Sequence, residues 1–149
     1  MNFKIIIRVL GFLIFVEGIA MLLALAVSLI YGESDTYSFL ISSGICVSLG
    51  GIIALLTNGA NKDIGKREGF IIVALVWVVF SFFGTLPYIL SNSIPNFTNA
   101  FFETMSGFTT TGSSILDDIE ALPHGILFWR SLTQWLGGMG IIVLSLAIL

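Results

Sequence analysis

The stretch FETMSGFTTTGSSILDD, residues 102–118, lies between two long apolar runs and resembles neither of them. It begins with residues suited to a helix, continues with three threonines, a glycine and two serines, and ends in two aspartates. Between two membrane spans, a chain ordinarily carries a short polar loop or a further span. This stretch is neither, so the segments around it must indicate why it is polar.

The composition indicates a membrane protein. Of the 149 residues, 56% are hydrophobic and only 10% are charged, whereas globular domains carry about 25% charged residues. Apolar runs of about 20 residues match the hydrocarbon core of a bilayer. The first run is also too long for the apolar region of a secretory signal, which has about 7–15 residues. We therefore predict an all-α integral membrane protein with four transmembrane helices, at Ile5–Tyr31, Tyr37–Thr57, Phe70–Leu90 and Ile126–Leu149.

The basic residues predict the orientation of these helices. Five of the six lie at the N-terminus or in the loop between the second and third runs: Lys4, Arg8, Lys62, Lys66 and Arg67. Lysine and arginine concentrate in cytoplasmic loops. The N-terminus and the 58–69 loop are therefore predicted to be cytoplasmic, and residues 32–36 and 91–124 to lie outside.

The loops on the predicted outer face are acidic. They contain no lysine or arginine, and they hold five carboxylates: Glu33, Asp35, Asp117, Asp118 and Glu120. An acidic mouth raises the local concentration of cations. An ordinary solvated surface would have the same composition, so charge alone does not separate the two interpretations.

A helix too short to cross the membrane is predicted before the threonines. Asn99 is the predicted N-cap of AFFETMSGF, residues 100–108, and at 1.5 Å per residue this helix is about 13 Å long. A helix of that length that enters from outside must be followed by a returning segment, which we place at residues 109–114. The negative end of the helix dipole would then point towards the membrane centre.

The returning segment has the composition of a cation-selectivity filter. Non-helical backbone at membrane depth is tolerated only where it is buried in protein or lines a watery cavity. Successive carbonyl oxygens there can replace the hydration shell of an ion. Gly112 permits a positive φ, and threonine hydroxyls add further oxygens. The alternative is a polar turn between an interfacial helix and the next span, and the residues alone leave both open.

Three longer segments carry a family resemblance: REGFIIVALVWVVFSFFGTLPYIL, FFETMSGFTTTGSSIL and LPHGILFWRSLTQWLGGMGIIVL. They resemble the first pore repeat of the Trk/Ktr/HKT potassium transporters, most closely the bacterial Trk-type membrane subunit. The resemblance covers residues 66–149, with spans at 70–90 and 126–149, a pore helix at about 100–108 and a filter at 109–114. Residues 1–65 resemble the extra N-terminal helix pair of that subfamily. Since the family has four repeats, the chain is expected to be an N-terminal fragment or a truncated gene product.

The resemblance implies potassium uptake across the cytoplasmic (inner) membrane, with the ion dehydrated at backbone carbonyls and driven by the membrane potential. By motif position, Thr110, Thr111, Gly112 and Ser113 would supply the filter oxygens, with potassium at the first three and Thr109 in a supporting role. A glycine at this position fits potassium over sodium. No covalently bound cofactor is expected. The implied partners are membrane lipid, the remaining pore repeats, a second copy in a homodimer and a cytosolic nucleotide-binding regulatory subunit, without nucleic acid.

Two other function classes remain to be compared with transport. A non-conducting membrane scaffold that only binds partner helices is the alternative that the sequence leaves open. An enzyme is not expected, because no nucleophile–base pair can be assembled and no G-x-S-x-G, H-E-x-x-H or Walker A motif is present. His124 and Cys46 are the single histidine and the single cysteine, which makes neither a catalytic dyad nor a transition-metal site.

A polar stripe on the fourth span predicts a contact with the pore helix. Arg130, Gln134 and Gly138 recur at steps of four and therefore share one helix face, which we expect to face protein rather than lipid. A buried arginine needs a partner, and Glu103 in the pore helix is the nearest candidate. The alternative is that Arg130 extends to the outer interface.

Several other residues predict how the helices pack. Glu17 lies midway along the first span, where an ionisable residue is a candidate functional group. We favour a helix–helix hydrogen bond, with the carboxyl in its protonated form. Three sets of small residues at helical spacing predict close packing, with a gating hinge as the alternative for the last set: Ser43, Cys46 and Gly50; Ser81, Gly84 and Thr85; and Gly137, Gly138 and Gly140.

Overall fold

The computed structural model describes residues 3–57 and 65–148, and all regular secondary structure in those ranges is helical. Three stretches are long and apolar enough to cross a membrane, at Phe3–Tyr31, Thr36–Leu56 and Arg67–Leu90. The prediction of an all-α, multi-pass membrane protein is thereby confirmed. The helices are α1 (Phe3–Tyr31), α2 (Thr36–Leu56), α3 (Lys66–Gly84), α4 (Leu86–Leu90), α5 (Phe97–Phe108) and α6 (His124–Ile148).

The fourth predicted run corresponds to α6. This helix has 25 residues, which at 1.5 Å per residue is about 37 Å, and its passage across the membrane stays a prediction. The orientation of the chain also stays a prediction, and Lys62 of the predicted cytoplasmic loop lies outside the described residues.

The third apolar run is two helices rather than one. Helix α3 ends at Gly84, and α4 begins at Leu86 with Pro87 in its first turn. Proline has no N–H to donate, and its ring clashes with the carbonyl four residues earlier, so a continuous helix is disfavoured here. Two hydrogen bonds satisfy carbonyls at the break. The Trp129 indole donates to the Gly84 carbonyl (3.1 Å), and the Thr85 hydroxyl donates to the Phe82 carbonyl (2.6 Å).

The first two sets of small residues lie where helices pack closely. A Cβ on Gly50 of α2 would lie 2.6 Å from the Gly11 carbonyl oxygen of α1, so the two backbones approach at a distance that only glycine allows. Ser43 and Cys46 on the same face of α2 are buried, as are Ser81 and Thr85 near the end of α3. The close-packing prediction is confirmed for both sets.

Two of the five predicted outer carboxylates do not form an acidic mouth. Asp35 is 1% exposed and accepts a hydrogen bond from the Ser28 hydroxyl. Glu33 accepts a hydrogen bond from the backbone N–H of His124 (2.6 Å), and its Oε1 lies 2.8 Å from Nδ1 of that residue. The acidic-mouth prediction is wrong for this pair, because Asp35 is buried against Ser28 in the last turn of α1 and Glu33 binds His124 at the start of α6. Asp117, Asp118 and Glu120 are exposed as expected.

The Glu33–His124 contact makes stability depend on pH. The hydrogen bond with the His124 side chain lowers the pKa of Glu33. A carboxyl with a lowered folded-state pKa stabilises the fold fully above its unfolded-state value, about 4.3, and this contribution is lost as the pH falls through the folded-state value. We expect Glu33→Gln to cost up to about 1 kcal/mol at pH 7 and nothing below the folded-state pKa.

Thermal unfolding of the purified protein in detergent at pH 7 and at successively lower pH checks this expectation. Glu120→Gln is the matched control, since Glu120 is exposed and has no hydrogen bond or ion pair with a described residue. Equal stability of Glu33→Gln and wild type at pH 7 would show that the contact contributes nothing.

Candidate functional site

Helix α5 begins three residues earlier than the sequence indicated. Asn96 is the N-cap, with extended backbone (φ −81°, ψ 121°), and its side-chain oxygen accepts the N–H of Asn99 at 3.2 Å. The prediction of Asn99 as the cap is therefore wrong, because Asn99 supplies a donor inside the first turn rather than the acceptor. The helix has 12 residues, or about 18 Å, and is still too short to cross the hydrocarbon core.

The end of α5 is closed by a Schellman motif. The N–H of Thr110 donates to the Gly107 carbonyl and that of Thr111 to the Ser106 carbonyl, each at 2.9 Å. Thr110 occupies the left-handed position of this motif with φ +57°, where glycine is usual. A β-branched residue is an outlier in this conformation, at a cost of about 1–2 kcal/mol. Thr110 is thus a strained residue directly after the helix.

Backbone oxygens without partners follow this turn. Gly112 has φ +76°, as the sequence suggested. Among the described residues, none donates a hydrogen bond to the carbonyl oxygens of Thr110, Thr111 or Gly112, whereas that of Ser113 accepts the Ser106 hydroxyl at 2.6 Å. Residues 111–113 are exposed. The segment therefore presents free carbonyl groups at an open edge of the structure.

Glu103 binds this segment to α5 and α6. Its carboxylate accepts hydrogen bonds from Arg130 Nε (2.6 Å), from the Ser114 hydroxyl (3.0 Å to each oxygen) and from the Ile115 N–H (3.1 Å). The Glu103 side chain is 1% exposed and that of Arg130 22%. The predicted Glu103–Arg130 ion pair is confirmed as a contact. One buried carboxylate thus holds the end of the returning segment and the N-terminal part of α6 together.

The polar stripe on α6 faces the same segment. Arg130 and Gln134 line a cavity of about 10 Å³ together with Gly112 and Ser113. A Cβ on Gly138 would lie 3.9 Å from the Thr110 side chain. The prediction that this stripe faces protein is confirmed for Arg130 and Gly138, whereas Gln134 lines the cavity but is exposed.

Two glycines allow α6 and the end of α5 to touch. A Cβ on Gly137 would lie 2.0 Å from the Phe108 carbonyl oxygen, and one on Gly107 would lie 2.4 Å from the Thr133 hydroxyl. A Cβ on Gly140 would meet only an ordinary contact, 3.6 Å from Trp77. Of the third set of small residues, Gly137 therefore has the contact that close packing requires.

Comparison with known proteins places this geometry in a family. The family model TrkH, described as a cation transport protein, matches residues 36–149. The chain belongs to the TrkH family. The remaining part of the chain also aligns with individual relatives.

Two curated TrkH relatives are named Trk system potassium uptake protein TrkH. The relative from Halomonas elongata is 39% identical over 150 residues, and the one from Salmonella typhimurium is 42% identical over 151 residues. Each alignment covers 100% of this chain and 31% of the relative. The chain thus spans about a third of the length of these TrkH proteins.

A solved TrkH structure has the same fold as the chain. The crystal structure of the potassium transporter TrkH from Vibrio parahaemolyticus superposes with a TM-score of 0.92 at 37% identity. The superposition covers 99% of this chain and 32% of that one. The arrangement of α1–α6 is therefore that of a TrkH protein.

The sequence did not indicate the roles of two serines that hold the segment with free carbonyl groups, Ser106 and Ser114. Ser106 donates to the Ser113 carbonyl, and Ser114 donates to Glu103. Ser106 follows Glu103 by three residues and so shares its helix face, which is the signal that would have found it. The strained φ of Thr110 had no signal in the sequence, because threonine is rare in that conformation.

Proposed function

We propose that this chain forms the first of four pore repeats of a Trk-type protein that takes up potassium across the cytoplasmic membrane. In this proposal the carbonyl oxygens of Thr110, Thr111 and Gly112, with Ser113 beside them, bind the dehydrated ion. The observation that carries the proposal is that three consecutive carbonyls after a helix too short to cross the membrane have no hydrogen-bond partner among the described residues.

The backbone conformation supports cation binding. Thr110 and Gly112 have positive φ, and Thr111 between them does not. When the hand of the backbone alternates from residue to residue, consecutive carbonyl groups turn to the same side of the chain. Carbonyl oxygens arranged in this way replace water around an ion, and the C-terminal end of α5 adds its negative partial charge.

The exposure of the segment supports a pore shared with other repeats. Residues 111–113 lie open at the edge of the structure, where other parts of a longer TrkH protein would complete the site. The relatives are about three times the length of this chain, since it covers 31% of each. A homodimer, a cytosolic nucleotide-binding subunit, a cytoplasmic N-terminus and the supporting role of Thr109 belong to the proposal through family membership.

A non-conducting scaffold is the second candidate. The Schellman motif at the end of α5 does not require a bound ion, because it satisfies the unpaired carbonyl groups at the C-terminus of many helices. It explains the positive φ of Thr110. It does not explain the positive φ of Gly112 or the free carbonyls that follow.

Replacing Gly112 with serine tests the filter. We expect Gly112→Ser to lower the ratio of potassium to sodium uptake by about tenfold or more, equivalent to about 1.4 kcal/mol of lost discrimination, because a side chain at φ +76° strains the backbone and moves the adjacent carbonyls. Uptake of both ions is measured in potassium-uptake-deficient cells that express the protein.

Gly32→Ser is the matched control for this experiment. Gly32 has φ +66°, and a Cβ there, as at Gly112, would have no atom within 4 Å. The two variants therefore impose similar backbone strain, and only one lies in the proposed filter. Unchanged selectivity in Gly112→Ser, or an equal change in both variants, would exclude the filter and leave the scaffold.

A further inference from the structure

Glu17 is a buried carboxyl group without a partner. It lies in the middle of α1, is 1% exposed, and neither of its oxygens has a hydrogen-bond partner among the described residues. The helix–helix hydrogen bond predicted for Glu17 is therefore wrong. Glu103 is 2% exposed and accepts hydrogen bonds from three residues. The same side chain thus occurs in two buried settings, one fully satisfied and one not.

The Glu17 carboxyl group lies beside Gly84 of α3, in a space that α5 also borders. Its Oε1 is 3.1 Å from the point that a Cβ on Gly84 would occupy, and the same point is 2.6 Å from the Thr104 methyl group and 3.1 Å from the Phe108 ring. Gly84 therefore leaves a space that Glu17 shares with two residues of α5. Phe108 is the last residue of that helix, directly before the segment proposed to bind potassium.

Within the part of the chain that the structure describes, no charged group compensates Glu17. From α2, the titratable residue Cys46 packs on this part of α1, since its Cβ lies 2.9 Å from the point that a Cβ on Gly18, the residue after Glu17, would occupy. The facing residues of α3 and α5 are Gly84, Thr104 and Phe108, which do not ionise. The Thr104 hydroxyl already donates to the Ala100 carbonyl, and the Gly84 carbonyl already accepts the Trp129 indole of α6. Arg130 of α6 is held by Glu103.

Because the Glu17 carboxyl group is buried without a hydrogen-bond partner, its protonation state can be inferred. An isolated carboxylate in an apolar interior has a large desolvation cost, and such a group takes up a proton instead. A desolvation cost also arises at membrane depth, where ionisable residues mark functional positions. The neutral acid is the form that fits the described packing.

We propose that Glu17 is a proton-binding site inside the membrane, protonated while α5 is packed as described, and that its ionisation displaces α5 and lowers potassium uptake. The first part stands on the packing of α1, α3 and α5 alone. The second part rests on the proposed function.

A hydrophobic carbodiimide tests the first part. The reagent adds to a protonated carboxyl group, whose oxygen bonds to the central carbon while its proton moves to a carbodiimide nitrogen. We expect membranes treated at pH 7 to carry the adduct on Glu17, with a yield that falls about tenfold per pH unit above the titration midpoint. Mass spectrometry of peptides locates the adduct. Glu103 is the internal control, equally buried but paired with Arg130, and should stay unlabelled.

Infrared spectroscopy gives an independent measure of the same proton. The difference spectrum of wild type minus Glu17→Gln should contain a protonated carboxylic C=O band at pH 7 that shifts in D₂O. If this band is missing, or if the carbodiimide labels Glu103 and not Glu17, Glu17 is not the proton site. Neither measurement depends on transport.

The pH dependence of uptake tests the second part. We expect wild-type uptake to fall severalfold on the alkaline side of the Glu17 titration, and Glu17→Gln, which keeps the shape of the neutral acid, to remove that fall. Superimposable pH profiles would overturn the coupling. If neither protein takes up potassium at any pH, the proposed function fails, while the labelling and the infrared band still decide the proton site.

Discussion

Arg130→Ala is expected to lower the free energy of unfolding by about 3–5 kcal/mol, the range measured when one partner of a buried ion pair is removed. The reason is the burial of Glu103, whose side chain is 1% exposed. Without Arg130, its negative charge keeps only the two neutral donors Ser114 and Ile115. Chemical or thermal unfolding of the purified protein in detergent measures the loss.

Arg8→Ala is the control for Arg130→Ala. Arg8 lies in α1 and has no hydrogen bond or ion pair with a described residue. We therefore expect its removal to change the free energy of unfolding by no more than about 0.5 kcal/mol. Arg130→Lys should recover part of the loss, because the charge is kept while the geometry of the guanidinium is not. Equal stability of Arg8→Ala and Arg130→Ala would mean that the pair contributes nothing.

An exchange of the two charges is not expected to restore stability. Glu103 accepts hydrogen bonds from Ser114 and Ile115 as well as from Arg130. An arginine at position 103 would face these two donors with further donors of its own. The double variant Glu103→Arg with Arg130→Glu should therefore be no more stable than either single variant, although the ion pair exists. This outcome would show that the Glu103 carboxylate is stabilised by several hydrogen-bond donors and not by Arg130 alone.

Gly137→Ala is expected to be destabilising by about 3 kcal/mol, at the upper end of the range for overpacking. The added methyl group would lie 2.0 Å from the Phe108 carbonyl oxygen and 2.6 Å from its carbon. These are backbone atoms, so no side-chain rotation relieves the contact. The end of α5 must move, and with it the segment that carries the free carbonyls, so potassium uptake should fall as well.

Gly138→Ala is the matched control on the same helix. Its added methyl group would meet only the Thr110 side chain, at 3.9 Å, and alanine favours a helix by up to about 1 kcal/mol over glycine. Packing predicts that Gly137→Ala is damaging and Gly138→Ala is not. If both variants keep their stability and both slow uptake, the glycines act as a hinge.

The sequence predicted the helices better than their ends. Apolar length located α1 and α2 within a few residues, because a bilayer fixes how long a span must be. It did not reveal that Pro87 divides the third run, although proline is a recognised helix breaker, since the run stays apolar throughout. The cap of α5 was misplaced because Asn96 and Asn99 are both good capping residues, and only the extended backbone at Asn96 selects between them.

The sequence indicated which residues form the candidate site but not most of the hydrogen bonds that hold it. Charge burial predicted the Glu103–Arg130 pair, because a buried arginine needs a partner. The contacts of Ser114 and Ile115 with the same carboxylate depend on how the chain returns after Thr110, which no spacing rule gives. Glu17 shows the opposite case. A hydrogen bond was expected by the rule that buried polar groups find partners, and the described packing provides none.

The break between α3 and α4 has a consequence for how the chain comes apart. The Gly84 carbonyl freed there is bound by Trp129 of α6, and Trp129 belongs to a buried cluster that also contains Met21 of α1 and Phe39 of α2. Helices α1, α2 and α6 thus share one interior. Unfolding of α1 and α2 would expose buried side chains of α6, and the reverse also holds. We therefore expect α1–α2 and α3–α6 to unfold as one cooperative unit.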